Sequence, residues 1–210
     1  MIRKLLTFVM PIALAACASG PQEVAPAATG AASTAKAERP EIKVGHKWVY
    51  ACTYGQKKLN SVTVVTSVDQ SGIKETMDGK PVTLTLDLNL VDSPEMSFSE
   101  HVHGFSFPLE VGKQWTAQHK WVNHESNTNG SEKVTVKVVS YEKVRVPAGE
   151  FDAFELKWDS RWTQDQPTAT GTTQATTWYA PGARNVVKYD RSRHWDPDLH
   201  CELTEFQLQP

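Results

Sequence analysis

Beyond residue 42, apolar side chains return at every second position rather than every third or fourth, and this period limits the fold more than any other feature. Val82, Leu84, Leu86, Leu88 and Leu90 alternate with Thr83, Thr85, Asp87 and Asn89. That is the pattern of an antiparallel strand with one face on a core and the other in water. Trp48, Tyr50, Cys52 and Tyr54 share one face of another run, and Val62, Val64, Thr66 and Val68 share a face of the next. Further strands are predicted over 97–103, 114–124, 132–146, 151–162, 172–179, 185–195 and 201–208, bounded by Gly, Pro, Asn and Asp. About nine or ten strands joined mostly by short turns predict an all-β domain. The expected form is a meandering antiparallel sheet closed into a barrel or half-open barrel, with a β-sandwich as the alternative.

Ahead of this domain, residues 1–16 read as a signal peptide. Arg3 and Lys4 precede an apolar run over 5–14 that ends in small residues and Cys17. The run is too short to span a hydrocarbon core of about 30 Å. Leu14-Ala15-Ala16-Cys17 resembles the lipobox of bacterial lipoproteins. The resemblance implies cleavage before Cys17, a diacylglycerol on its sulfur and usually a third acyl chain on the new N-terminus. Two or three chains, at ~0.8 kcal/mol per buried CH₂, would hold the protein on a membrane. Residues 17–41 read as the lipidated cysteine followed by an Ala/Pro-rich tether, and 42–210 as a single β domain. About 23 flexible residues have a root-mean-square span of ~27 Å. By resemblance to lipoprotein sorting, Ala18 after the cysteine implies the outer membrane and a periplasm-facing domain. Cell-surface exposure and anchoring in the cytoplasmic membrane are the alternatives.

Three cysteines less the lipidated Cys17 leave Cys52 and Cys201, in the first and last strand-like runs. Disulfides persist in an exported compartment, so this pair is expected to be bonded, which requires the terminal strands to be neighbours. A formal charge of −2, which loses Arg3 and Lys4 with the signal, gives no electrostatic footprint for nucleic acid.

Two short segments repeat. Val44-Gly45-His46-Lys47-Trp48 and Val111-Gly112-Lys113-Gln114-Trp115 share Val-Gly-x-x-Trp, each ahead of a strand. Glycine there would permit a tight entry turn or bulge, and tryptophan would plug a barrel end. Together with Phe107-Pro108-Leu109-Glu110, Val146-Pro147-Ala148-Gly149-Glu150-Phe151 and Trp178-Tyr179-Ala180-Pro181-Gly182, these segments resemble β-rich bacterial envelope lipoproteins of the TapB-like group. The resemblance implies one envelope β domain, mostly without assigned activity in the group, and brings no catalytic residues with it. In 146–151, Pro147 presets φ and Gly149 is free to take positive φ, as a hairpin requires.

Candidate chemistry is sparse. His101 and His103 would lie about 7 Å apart on one strand face, where His119 or His124 could complete a metal site. Without a confirming carboxylate or cysteine pattern, no metal and no other cofactor is expected. Trp158 and Trp162 share a face, with Trp178 on the next strand. With Leu84, Leu86 and Leu88 they are candidate lining for an apolar ligand. Arg191 and Arg193 share a face that could dock a carboxylate or phosphorylated headgroup. Glu100 and Glu110 are a conceivable acid pair for hydrolysis. No nucleophile elbow, zinc helix or phosphate loop is present, so no catalytic activity is expected. The expected role is structural or protein-interacting, in an exported lipid-anchored envelope protein. The alternative is a carrier of a lipid or other apolar ligand inside the barrel.

Overall fold

A computed structural model describes residues 34–210. The signal peptide, Cys17 and most of the tether lie outside the described residues. Among the described residues fourteen strands form, with one 3₁₀ turn at Pro181–Ala183. They are β1 (Lys36–Ala37), β2 (Lys47–Tyr54), β3 (Lys57–Asp69), β4 (Gly72–Met77), β5 (Lys80–Leu84), β6 (Leu90–Asp92), β7 (Met96–Phe98), β8 (Leu109–Glu110), β9 (Gln114–Asn123), β10 (Thr128–Val146), β11 (Gly149–Gln164), β12 (Ala169–Ala180), β13 (Asn185–Arg193) and β14 (Asp196–Gln207). Twelve of them close a barrel, each beside its neighbour in sequence except that β7 pairs β9 and β14 pairs β2, while β1 and β8 form a small separate ladder. Every pairing is antiparallel.

The first and last barrel strands meet as expected. Cys52 faces Cys201 in the β2–β14 register with their Cα atoms 4.1 Å apart, and the two are disulfide-bonded. Six hairpins, at 55–56, 78–79, 93–95, 124–127, 165–168 and 194–195, gather at one end. At the other end the described chain enters the fold, and part of the segment before residue 42 packs into it. Ala37 in β1 is buried against Leu109 of β8, because a small side chain fits beneath the barrel floor where a tether would have stayed in water.

The interior is filled by two apolar clusters. One gathers Trp48, Val65, Ile73, Val187 and Leu203, and the other Val134, Val136, Val138, Phe154, Leu156 and Tyr179. Outward positions are polar, as in Thr116, Gln118 and Lys120 on β9, Lys133 and Lys137 on β10, and Asp159 and Arg161 on β11. A membrane-spanning barrel would carry an apolar band there; here the named positions are polar or charged.

The Val-Gly-x-x-Trp repeat proves to be one turn used twice. Gly45 and Gly112 have φ of 85° and 92°. In each copy the glycine N–H donates to a valine carbonyl (Val65, Val138), the same valine N–H donates back to the residue after the glycine, and that residue's N–H closes on Lys43 or Glu110. Trp48 and Trp115 each donate an indole N–H to a distant carbonyl, of Ala183 at 2.8 Å and of His103 at 2.9 Å. The correspondence continues. A register shift follows Val65 and Val138, reaching Ser67 and Ser140, and both following hairpins end on a glycine, Gly72 and Gly149, with φ of 141° and 138°. Thus β2–β4 and β9–β11 are two versions of one three-stranded unit.

Several strand predictions are corrected. The run over 82–90 is broken at Leu84: Thr85 Oγ1 accepts the backbone N–H groups of Asp87 and Asn89, and Leu88 takes φ 61°, so the chain doubles back into β6. On β3 the buried residues are Thr63 and Val65 rather than Val62 and Val64, since the pairing register and not hydrophobicity alone sets the face. Past Phe98 the chain leaves the sheet, with Glu100 at φ 80°, so of the strand predicted over 97–103 only Ser97 and Phe98 form, within β7. Residues 99–108 pass into the interior instead. Phe105 is buried, and its N–H and C=O are both held by the buried Asn89 amide. Near Pro181 the left-handed residue is Arg184 (φ 54°).

Candidate functional site at the hairpin end of the barrel

Polar side chains concentrate on the inner face near the six hairpins. Alternation places His119 and Trp121 of β9, Glu132 of β10, Trp158, Ser160 and Trp162 of β11, and Arg191 and Arg193 of β13 toward the interior. Glycines make room for the indoles. A Cβ on Gly130 would fall 2.6 Å from Trp121 Cζ2, one on Gly171 2.5 Å from Trp162 Cζ2, and one on Gly104 2.1 Å from Trp158 Cη2. Gly130 and Gly171 are direct cross-strand partners of Trp121 and Trp162, an aromatic covering a bare stretch of backbone.

Charges in this layer are matched within the protein. His119 Nε2 lies 3.2 Å from Glu132 Oε2, with the His119 side chain 1% exposed. Burial pushes the Glu132 carboxyl up, but hydrogen bonds from His119 and Ser160 and the nearby Arg193 charge draw it net below the usual carboxylate range. Arg191 Nη2 reaches Asp196 at 2.8 Å, Arg193 Nη1 reaches the same oxygen at 3.7 Å, and the Tyr54 hydroxyl donates to Asp196. Burial, then the Arg191 charge, lowers the Arg193 guanidinium. The shared face of Arg191 and Arg193 is therefore present, but the carboxylate it docks is the protein's own. Several nitrogens here are buried with no hydrogen-bond partner: His119 Nδ1, Trp158 Nε1, Trp162 Nε1, Arg191 Nε and Arg193 Nε.

Ser160, Glu132 and His119 are in contact, but in the wrong order for a nucleophile. The Ser160 hydroxyl donates to the Thr173 carbonyl at 3.5 Å and His119 Nε2 lies on Glu132, so no ring nitrogen is on the hydroxyl to take its proton. Glu100 lies by His103 at 3.9 Å and Glu110 by Lys36 at 4.0 Å, each with a partner of its own.

The candidate apolar lining is dispersed. Leu84, Leu86 and Leu88 pack against the Trp48–Ile73 cluster as part of the core, and Trp158 and Trp162 face inward. Trp178 does not join them. It pairs with Glu155, at an odd spacing from Ala175, the partner of Trp158, so it takes the outward face, where its indole donates to Glu142 at 3.1 Å and the Lys188 ammonium sits 4.7 Å over its ring. Two concavities of about 660 and 450 Å³ open on the polar outer face, bordered by Lys133, Asp159, Arg161 and Gln174 in one and by Asp190 and His200 in the other. His101 and His103 lie on the segment over 99–108 with ring centres 4.1 Å apart, His103 is 6.2 Å from His119, and His124 is 3.8 Å from Asp92. The inward Glu75 was not legible in the sequence, because an acid at a core position breaks the apolar alternation of β4.

No family model and no curated protein matches the sequence. Among solved structures, the chain is similar to an exported-protein candidate of YmcC-like fold from Bacteroides fragilis, at 16% identity and a TM-score of 0.53, covering 82% of this chain and 100% of that one. It is also similar to a lipoprotein candidate from Parabacteroides distasonis, at 13% identity and a TM-score of 0.54, covering 81% and 99%. At such identities the likeness is one of architecture, and the chain has the YmcC-like all-β barrel fold.

Proposed function

We propose that this is an exported, lipid-anchored envelope protein whose barrel is a non-enzymatic interaction module, held by Cys17 on the periplasmic side of the outer membrane. The observation that carries the reading is the division of labour between the two ends. The described chain enters at one end, the six hairpins project from the other, and the interior between them is packed with the protein's own side chains. Recognition then falls to the surface, and to the hairpin end first. Leu84, Leu86 and Leu88, which a carrier would keep for its ligand, are spent on the core. The lipobox, the resemblance of four segments to TapB-like lipoproteins and the fold shared with exported-protein and lipoprotein candidates support the same reading.

The test is in-cell photo-crosslinking of the full-length chain, with labels at the hairpin end (Gly79, Trp195) and at the opposite end (Ala148), combined with acyl labelling of the wild type and Cys17→Ala. Acyl label lost in Cys17→Ala and a defined envelope-protein adduct from the hairpin-end positions are expected. An unlabelled wild type would remove the anchor, and adducts from Ala148 alone would overturn the assigned orientation.

A further inference from the structure

We propose that His119, His103 and His101 form a three-imidazole site for a first-row transition-metal dication such as zinc. The argument begins with His119, whose side chain is 1% exposed. Glu132, 3.2 Å from His119 Nε2, is a carboxylate and accepts hydrogen bonds only. It therefore fixes the His119 proton on Nε2, leaving Nδ1 as a bare lone pair, buried and without a donor. A carboxylate behind one ring nitrogen with the other left free is how metal-bound histidines are oriented.

The other two rings are close by. His103 lies 6.2 Å from His119 between ring centres, and His101 lies 4.1 Å from His103. Two imidazoles on one tetrahedral ion, with metal–nitrogen bonds of about 2.0–2.1 Å, hold their centres about 5 Å apart, between the two observed spacings. Among the described residues no three donor side chains stand close enough to hold an ion as they lie. Binding must therefore turn the His101 and His103 rings onto His119. Among the described residues the His101 and His103 rings carry no side-chain hydrogen bond, whereas His119 is fixed in β9 beside Phe98 and on Glu132. Imidazole donors suit zinc, copper and nickel rather than calcium or magnesium. Three protein ligands would leave a fourth position open to water or to a partner's side chain.

The experiment uses the tag-free protein with ZnCl₂ alone, by equilibrium dialysis with elemental analysis, and with CoCl₂ alone, by visible absorption. One bound equivalent with tetrahedral cobalt bands is expected. His103→Ala and His119→Gln should each weaken zinc at least tenfold, and Glu132→Gln by about 10–100-fold. His103 is not in the core, so its variant keeps the test valid if His119→Gln fails to fold; circular dichroism reports this. His200, beside Asp190 and Glu202, is the control for adventitious surface binding. The proposal is overturned if the folded wild type takes up no stoichiometric zinc, or if His200→Ala abolishes uptake while His103→Ala leaves it intact.

Discussion

Glu75 sits on the inner face of β4, 7% exposed, between Val65 of β3 and Val82 of β5, both buried. No side-chain hydrogen bond reaches it among the described residues, and burial pushes its carboxyl up to about 7 from 4.5. Between those values the folded protein holds a proton that the unfolded chain has released. Stability is therefore complete below pH 4.5 and falls as pH rises through 7. At 1.36 kcal/mol per unit the loss is about 3 kcal/mol. Glu75→Gln keeps the shape and removes the ionisation. It should match the wild type near pH 4 and exceed it by about 3 kcal/mol at pH 8, or about 6–12 °C in melting temperature for a chain of this size. Urea unfolding of both proteins at half-unit steps from pH 4 to 8, on chains carrying Cys17→Ala for solubility, reads the difference directly. Two parallel stability curves would refute the reasoning, since they would mean that the folded carboxylate ionises as freely as the unfolded one.

Other expectations follow from single contacts. Replacing Cys52 and Cys201 together by serine frees a loop of 149 residues; the loss is up to about 5 kcal/mol in the chain-entropy model. A melting temperature unchanged between oxidised wild type and double variant would show that β2–β14 pairing alone closes the barrel. Gly171→Ala drives a Cβ to 2.5–2.8 Å from the Trp162 and Trp195 rings, so it should cost about 1–3 kcal/mol and shift tryptophan fluorescence. A neutral result would place those indoles elsewhere. If the two Val-Gly-x-x-Trp turns are equivalent, Gly45→Ala and Gly112→Ala should each cost about 1–2 kcal/mol from the left-handed backbone. Chemical denaturation of both variants would expose any inequality.

Local pattern was enough to recover the barrel and its closure. The inward row of Trp48, Cys52 and Tyr54, the glycine of the 146–151 hairpin and the pairing of Cys52 with Cys201 are all set by alternation, turn chemistry or parity, which act over a few residues or count them. The repeat was visible as five residues, but its meaning was not. The matching hydrogen bonds to Val65 and Val138 come from strands 20 and 26 residues on, and no local rule links them.

What tertiary structure alone decided is where a strand stops and which way a side chain faces after it. Leu86 and Leu88 continue a good strand pattern, yet Thr85 and Asn89 fold them into the core. Trp178 looks like a companion of Trp158 and Trp162 until the β11–β12 register, which sets Ala175 and Gly171 opposite those two, leaves it on the other face. The meeting of His119 with Glu132 and with His103 depends on the register of β9 against β10 and on the path of 99–108, both of which lie beyond periodicity. A period of two names the alternating faces of a strand. Only the closed ladder, in which one slipped residue exchanges every inward side chain for an outward one, settles which face is in.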